Sequence, residues 1–246
     1  MINLNNKKII KTDFPIILIK NFLSKKNSEI LGKAIIEQKK FDDFVMGGRN
    51  RINKGSRNFI ELVSKKKIIK KLYNNINQKS FFDKIKYLFE KEYVSFPWKI
   101  ENNFNRFSKH SYGLQSGSKF TKQSKRERKY NTVNLDFDFS ISENGYAREP
   151  HRDRETRIIN FLVYLNTIPK KNGGALTIFT TKKFWGTKMN DFPRFPNKKK
   201  VRIIKKFQPK QGHAIFFMSS PNSYHGVNKF RNKKNNKRIF IYGSFS

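Results

Sequence analysis

The sequence predicts an α+β chain that is mainly β, with helices packed outside a sandwich or barrel of short strands. Two observations carry this. In the first hundred positions apolar residues recur at helical spacing, whereas from Thr132 onward they alternate with polar ones. The alternating part is also broken at close intervals by turn residues, as sandwiches and barrels are. At 246 residues a single domain, 1–246, is expected. It divides into a helix-rich supporting part (1–101), a basic flexible loop (102–131) and a β core (132–246).

Ile16 to Ile19 reads as a strand ending near Asn21. Ser24 is placed to cap a helix reaching about Gln38, with Ile30, Leu31, Ala34 and Ile35 on one face. Phe41 to Phe59 contains Gly47, Gly48 and Gly55 and reads as loop or hairpin. A helix is expected over Ser64 to Ile76, with Ile68, Ile69, Leu72, Tyr73 and Ile76 on one side. Ser80 is expected to cap a third helix, with Asp83 near its positive end and Phe81, Ile85, Leu88 and Phe89 inward. Asn102 to Tyr130 is rich in Ser, Gly, Lys and Asn. A loop of this length is a candidate lid or binding segment, and its basic residues 119–129 a candidate for substrate capture.

In the β part, Val133, Leu135, Phe137, Phe139 and Ile141 alternate with polar residues, the mark of a half-buried strand. A turn follows at Glu143-Asn144-Gly145. Further strands are expected at Arg157–Asn166, Ala175–Phe179 after a Gly173-Gly174 turn, Val201–Phe207 and Ala214–Met218. His225–Phe230 and Arg238–Phe245 are expected to pair through a basic hairpin.

The net charge is +36. An anionic partner is one reading, either nucleic acid or an acidic protein surface. An A/T-rich coding sequence, which favours Lys, Asn, Ile and Phe, is the other. The scatter of lysines through every segment argues against a single focused groove. The chain has no cysteine, which excludes disulfides and thiolate metal sites. The apolar run at Phe14–Ile19 is too short to span a membrane, so a soluble, cytoplasmic protein without a membrane partner is expected.

The chemistry centres on Pro150-His151-Arg152-Asp153. Residues i and i+2 of an extended strand project from one face, so His151 and Asp153 can offer an imidazole nitrogen and a carboxylate oxygen to one metal ion. His225 is the best third ligand among the four histidines. His213 is expected at the surface where a strand begins, and His110 in the basic loop. Two histidines and one carboxylate on one side of a metal point to non-haem Fe(II) oxygenases.

From about Asn134 to Phe245 the chain resembles the 2-oxoglutarate- and Fe(II)-dependent dioxygenases, in particular the prolyl-4-hydroxylase-like branch. The resemblance rests on several features in order. They are His151-x-Asp153, the strand Arg157–Asn166, Gly173-Gly174-Ala175-Leu176-Thr177-Ile178-Phe179, Gly212 before an apolar strand, His225, and Arg238 opening the last strand. It implies a double-stranded β-helix (a jelly roll, cupin-like) with the N-terminal helices outside. It implies His151, Asp153 and His225 as ligands of Fe(II). Arg238 would bind the distal carboxylate of 2-oxoglutarate, helped by the Tyr164 hydroxyl. The guanidinium suits that job, being permanently charged and able to give two parallel hydrogen bonds.

The implied reaction uses O2, is supported by ascorbate, converts 2-oxoglutarate to succinate and CO2, and hydroxylates an unactivated C–H bond. The substrate would be a protein, a peptide such as one carrying proline, or a small molecule, acidic if the charge reflects function. In one departure, thirteen positions separate His225 from Arg238, which the polar stretch 231–236 accommodates as a longer hairpin tip. Ser244 stands where the nucleic-acid demethylase branch has a second Arg, and Asp153 is retained where halogenases have a small residue. Two other readings are a basic nucleic-acid-binding jelly roll and a cupin-like metalloenzyme without 2-oxoglutarate. The first leaves the ordered His, Asp, His, Arg set unexplained, and the second gives Arg238 no job.

Overall fold

The computed structural model describes residues 1–45, 48–93, 111–112, 132–154, 157–181, 191–232 and 236–246. The strands are β1 (Lys7–Ile10), β2 (Ile16–Ile19), β3 (Asp43–Val45), β4 (Arg49–Asn53), β5 (Ser111–Tyr112), β6 (Thr132–Val133), β7 (Leu135–Ser142), β8 (Arg148–His151), β9 (Ile159–Tyr164), β10 (Leu176–Thr181), β11 (Val201–Phe207), β12 (Ala214–Met218), β13 (His225–Val227) and β14 (Arg238–Phe245). The helices are α1 (Lys25–Ile36), α2 (Arg57–Lys65), α3 (Lys67–Ile76) and α4 (Lys79–Tyr93). No described helix is long and apolar enough to cross a membrane.

Two antiparallel sheets form a sandwich. The larger has the order β1-β2-β12-β9-β14-β7-β4-β3, the smaller β11-β10-β13-β8. Period-two patterning decides which residues face which neighbour. On β7, Leu135, Phe137, Phe139 and Ile141 face the helices, as do Phe161 and Val163 of β9 and Ile239, Ile241 and Phe245 of β14. There they meet Leu31 and Ile35 of α1, Phe59 and Leu62 of α2, Ile69, Leu72 and Tyr73 of α3, and Phe81, Ile85 and Phe89 of α4. Phe59 stacks on Phe139 with ring centroids 5.8 Å apart and meets Tyr73 edge-on at 5.2 Å. The opposite face points between the sheets, where Leu162, Tyr164, Ile215, Phe217 and Phe240 meet Leu176 and Ile178 of β10.

Several expectations change. The N-terminal part is helix-rich but also extends the larger sheet at both edges, through β1-β2 on one side and β4-β3 on the other. The stretch expected as loop or hairpin up to Phe59 is the β3-β4 hairpin followed by α2. That helix starts at Arg57 because Ser56 Oγ accepts the Phe59 amide at 3.0 Å. The helix expected over Ser64–Ile76 is therefore the end of α2 plus α3, separated by the extended residue Lys66. Ser80 is not a cap, because it lies inside α4, whose first turn closes on the Gln78 carbonyl.

β7 is buried on both faces, because its polar residues Asp138, Ser140 and Ser142 line the space between the sheets and not solvent. β13 and β14 do not pair. β13 lies between β10 and β8, and β14 between β9 and β7, so the polar connection crosses from one sheet to the other. The expected loop 102–131, with its lysines and arginines 119–129 and His110, lies outside the described residues except for β5, which pairs in parallel with β6.

Gly243 of β14 marks the tightest approach in the core. A Cβ there would sit 2.1 Å from Cζ of Phe161, a fully buried ring stacked on Phe216 at 5.3 Å. Gly243→Ala must push that ring out of its stack, so about 1–3 kcal/mol of stability should be lost in urea unfolding. Unchanged stability would show that the helical layer yields more readily than its packing implies.

Candidate active site

The face of β14 turned from the helices carries Arg238, Phe240 and Tyr242, and the same face of β7 carries Asp138, Ser140 and Ser142. Opposite them stand β8 and β13 of the smaller sheet. The pairing of these two strands sets His225 directly across from His151, with ring centroids 4.4 Å apart. β8 ends at His151, and Asp153 lies just beyond it in the loop. Ligand atoms of His151, Asp153 and His225 all lie within 4.8 Å of one another, and all three residues are buried. The sequence-expected triad is therefore brought together.

Each histidine is oriented by its own backbone. His151 Nδ1 lies 2.8 Å from the Glu149 carbonyl and His225 Nδ1 3.0 Å from that of Ser223. A carbonyl only accepts, so Nδ1 carries the proton and Nε2 keeps its lone pair for a metal. Burial favours neutral rings, lowering the His151 pKa to about 3, with His225 adding to the effect, and lowering that of His225 as well. Burial also opposes ionisation of Asp153, but neighbouring positive charge, that of Arg157 first and Arg194 further off, outweighs it and holds the carboxyl below its usual range. The triad is thus two neutral nitrogens and one carboxylate, a donor set that fits a divalent iron.

Arg157 donates to Asp153 Oδ1 at 2.8 Å and to the Tyr242 hydroxyl. Tyr242 donates to Asn160 Oδ1 at 3.1 Å, and Asn160 to Ser219 Oγ at 2.7 Å. Sequence reading missed this chain. Its signal was weak: an Arg four residues after the Asp and a Tyr in the last strand.

Arg238 lies at the inner end of a cavity of about 420 Å³ that the triad also lines. It is fully buried. Its Nε donates to the Gly174 carbonyl at 2.9 Å, and the guanidinium lies over the Phe240 ring at 4.1 Å and near that of Tyr164 at 5.3 Å. Gly174 is at φ +72°, and a Cβ there would stand 3.2 Å from Arg238 Cδ, so the turn that sets this carbonyl requires glycine. Among the described residues Arg238 Nη1, Nη2 and the Tyr164 hydroxyl complete no hydrogen bond of good geometry, although the guanidinium and the hydroxyl lie close enough to attract each other.

Two parallel donors on a buried cation beside a buried hydroxyl are what a ligand carboxylate needs. Tyr164 stays protonated, since burial raises its pKa although Arg238 opposes the shift, and is able to donate. Lys237, the neighbour of Arg238, reaches outward toward Glu143 at 3.9 Å.

His213 is not at the surface as expected. It is buried at 8% exposure, because the Gly212 turn ties its carbonyl to the Tyr164 amide at 2.9 Å, and it does not line the triad's cavity. A second, larger cleft of about 700 Å³ lies between the N-terminal residues and α4. It gathers no metal-ligating cluster among the described residues.

Residues 137–245 match the 2OG-Fe(II) oxygenase superfamily. The β-rich region of this chain belongs to that superfamily. The match spans β7 to β14 and contains His151, Asp153, His225, Tyr164 and Arg238, and it makes the chain an oxidoreductase for which Fe(II) and 2-oxoglutarate are the implied cofactors. No curated protein matches the sequence.

Among solved structures, HygX from Streptomyces hygroscopicus, with nickel and 2-oxoglutarate bound, aligns with TM-score 0.51 at 8% identity, over 94% of this chain and 82% of that one. The viral collagen prolyl hydroxylase of Paramecium Bursaria Chlorella virus-1 aligns over 94% of both chains, with TM-score 0.46 and 12% identity. A Pseudomonas putida prolyl-4-hydroxylase gives 0.45 and 13%, over 94% of this chain and 92% of that one. The HygX likeness speaks to the fold, which is the expected jelly roll with helices on the outside.

In this oxygenase the Arg157–Asp153 pair contributes to stability as well as to the site. With the Asp153 pKa lowered below 3.8 in the fold, the pair's contribution is fully present above pH 3.8 and is lost as pH falls through the folded value. Arg157 is partly exposed at 23%, so Arg157→Gln should cost less than the ~3–5 kcal/mol of a fully buried pair, about 2 kcal/mol at pH 7. Urea unfolding of metal-free protein at pH 7 and at pH 3 checks this: the gap between wild type and variant should narrow at the lower pH. An equal gap at both would assign the loss to packing.

Proposed function

We propose that this oxygenase is an Fe(II)- and 2-oxoglutarate-dependent hydroxylase in which His151, Asp153 and His225 hold the iron and Arg238 and Tyr164 hold the distal carboxylate of 2-oxoglutarate. The observation that carries this is the pair of unbonded Nη donors of Arg238, fully buried in the cavity that the triad lines. The iron, when bound, supplies the oxidation that couples decarboxylation of 2-oxoglutarate to hydroxylation with O2. The chain's own residues do the rest. The Glu149 and Ser223 carbonyls fix which imidazole nitrogen faces the metal. Arg157 holds Asp153 ionised and oriented. Arg238 and Tyr164 anchor the co-substrate at one end, and the apolar walls formed by Leu162, Leu176 and Phe240 exclude water.

Ascorbate is expected to support turnover. The lack of cysteine suits a reducing compartment such as the cytoplasm. The resemblance of residues 134–245 to prolyl-4-hydroxylases makes peptidyl proline the candidate substrate.

Anaerobic titration of the Fe(II) protein with 2-oxoglutarate, followed by its visible charge-transfer band, tests the assignment. His151→Ala and Asp153→Ala should abolish the band and aerobic succinate formation. Full turnover in either would misplace the metal. Arg238→Ala should weaken 2-oxoglutarate by about two to three powers of ten with Fe(II) binding unchanged, as expected when a buried ion pair is broken. Arg238→Lys should recover part of that loss, and Lys237→Ala should change little. If Arg238→Ala is silent, the cupin-like reading without 2-oxoglutarate takes its place.

A further inference from the structure

Of the 54 basic residues, 14 are arginine and 40 lysine. Among the described residues, seven arginines and no lysine line the triad's cavity. A compositional drift toward lysine does not produce that distribution. Four of the seven have evident partners. Arg49 grips Asp138 at 2.7 and 2.9 Å, Arg51 reaches Asp43 at 2.5 Å, Arg157 holds Asp153, and Arg238 donates to Gly174. The other three, Arg148, Arg154 and Arg194, form no ion pair among the described residues, and Asp153 is the only acidic side chain on the described wall.

Arg194 is held in place. The segment carrying it is tied down by Arg152, whose Nη2 donates to the Phe192 carbonyl at 3.0 Å and whose amide donates to the Arg194 carbonyl at 3.0 Å. The Tyr224 hydroxyl donates to the Pro193 carbonyl at 2.7 Å. Phe195 then stacks on His151, ring centroids 6.3 Å apart, and the Arg194 guanidinium lies 5.0 Å over Phe195. Its Nε is buried and has no hydrogen-bond partner among the described residues. Burial and the charges of Arg154, Arg157 and Arg148 lower its pKa against the opposing charge of Asp153, so these cations crowd one another. Crowded cations beside an unbonded donor are relieved by an oxyanion.

We propose that Arg148, Arg154 and Arg194 form a substrate-anion subsite at the mouth of the cavity, and that the substrate is a peptide presenting an oxyanion, carboxylate or phosphate, close to the residue that is hydroxylated. This rests on the reading of the cavity as the hydroxylase site. The subsite lies beside His151, so the anion would position the neighbouring residue over the metal and not merely attract it from solution.

The test uses full-length protein loaded with Fe(II) and 2-oxoglutarate under nitrogen. Fluorescein-labelled twelve-residue peptides carry one proline flanked by Glu, by phosphoserine, by Gln or by Lys, and a dT oligonucleotide serves as a further probe. Anisotropy should give at least about tenfold tighter binding for the Glu or the phosphoserine peptide than for the Gln peptide, the usual scale for a charge-assisted hydrogen bond. Whichever of the two binds tighter names the source of the oxyanion. Arg194→Gln, and separately the exposed Arg154→Gln, should remove most of that preference. Arg202→Gln, an exposed arginine on β11 outside the cavity, should not.

Equal binding of acidic and neutral peptides, including no binding of any, overturns the proposal. So does an equal loss in Arg202→Gln, which would mean attraction to the whole +36 chain. Tighter binding of the oligonucleotide with the same sensitivity to Arg194→Gln would assign the subsite to nucleic acid instead. Failure of the underlying hydroxylase reading is separately visible as absence of the charge-transfer band before any peptide is added.

Discussion

A polar cavity persists inside this protein because the larger sheet is sealed on its other face. β7, β9, β12 and β14 each send one set of alternate residues into the aromatic layer beneath the four helices. Burial there, at roughly 25 cal/mol per Å² of apolar surface, holds the sheet without help from the opposite face. That face is then free to carry Asp138, Ser140, Ser142, Arg238 and Tyr242, residues that would be costly in a core with no other source of cohesion. The smaller sheet closes over them with β8 and β13 and brings the histidines. The N-terminal helices, whose described residues line none of the triad's cavity, are in this sense what allows it.

Charge inside the cavity is arranged in pairs of unequal completeness. Arg49 is fully engaged with Asp138, and also donates to Ser140 Oγ at 2.9 Å. This pair ties β4 to β7 beside the cavity. Arg157 balances Asp153, leaving the triad with an ionised carboxylate despite its burial. Arg238 has one nitrogen satisfied by the protein and two left for a ligand. This difference in completeness, and not depth, exposure or residue type, distinguishes structural arginines from those with donors left for a ligand.

Much of this was legible in the sequence, and for identifiable reasons. Alternation along β7, β9, β12 and β14 follows from strand geometry and reads directly from the chain, so the limits of β11, β12 and β14 were correct to the residue. His151-x-Asp153 and the Gly173-Gly174 turn are local patterns whose consequences are local. Arg238 opening an apolar strand was legible because a charge at such a position requires a partner. What the sequence could not give was long-range. That β13 and β14 lie in different sheets depends on which strands pair, and neighbours in sequence were a poor guide once the connection crossed the sandwich. The burial of β7 on both faces, the Arg157–Tyr242–Asn160 chain and the roof that sets Arg194 beside His151 join residues whose relation exists only after folding. The sequence by itself determined most strands of the β part, their apolar faces and the ligand types, because these depend on spacing along one backbone. Only the tertiary structure decided which buried arginines are paired and which are open, because burial and partnership are properties of the packed whole.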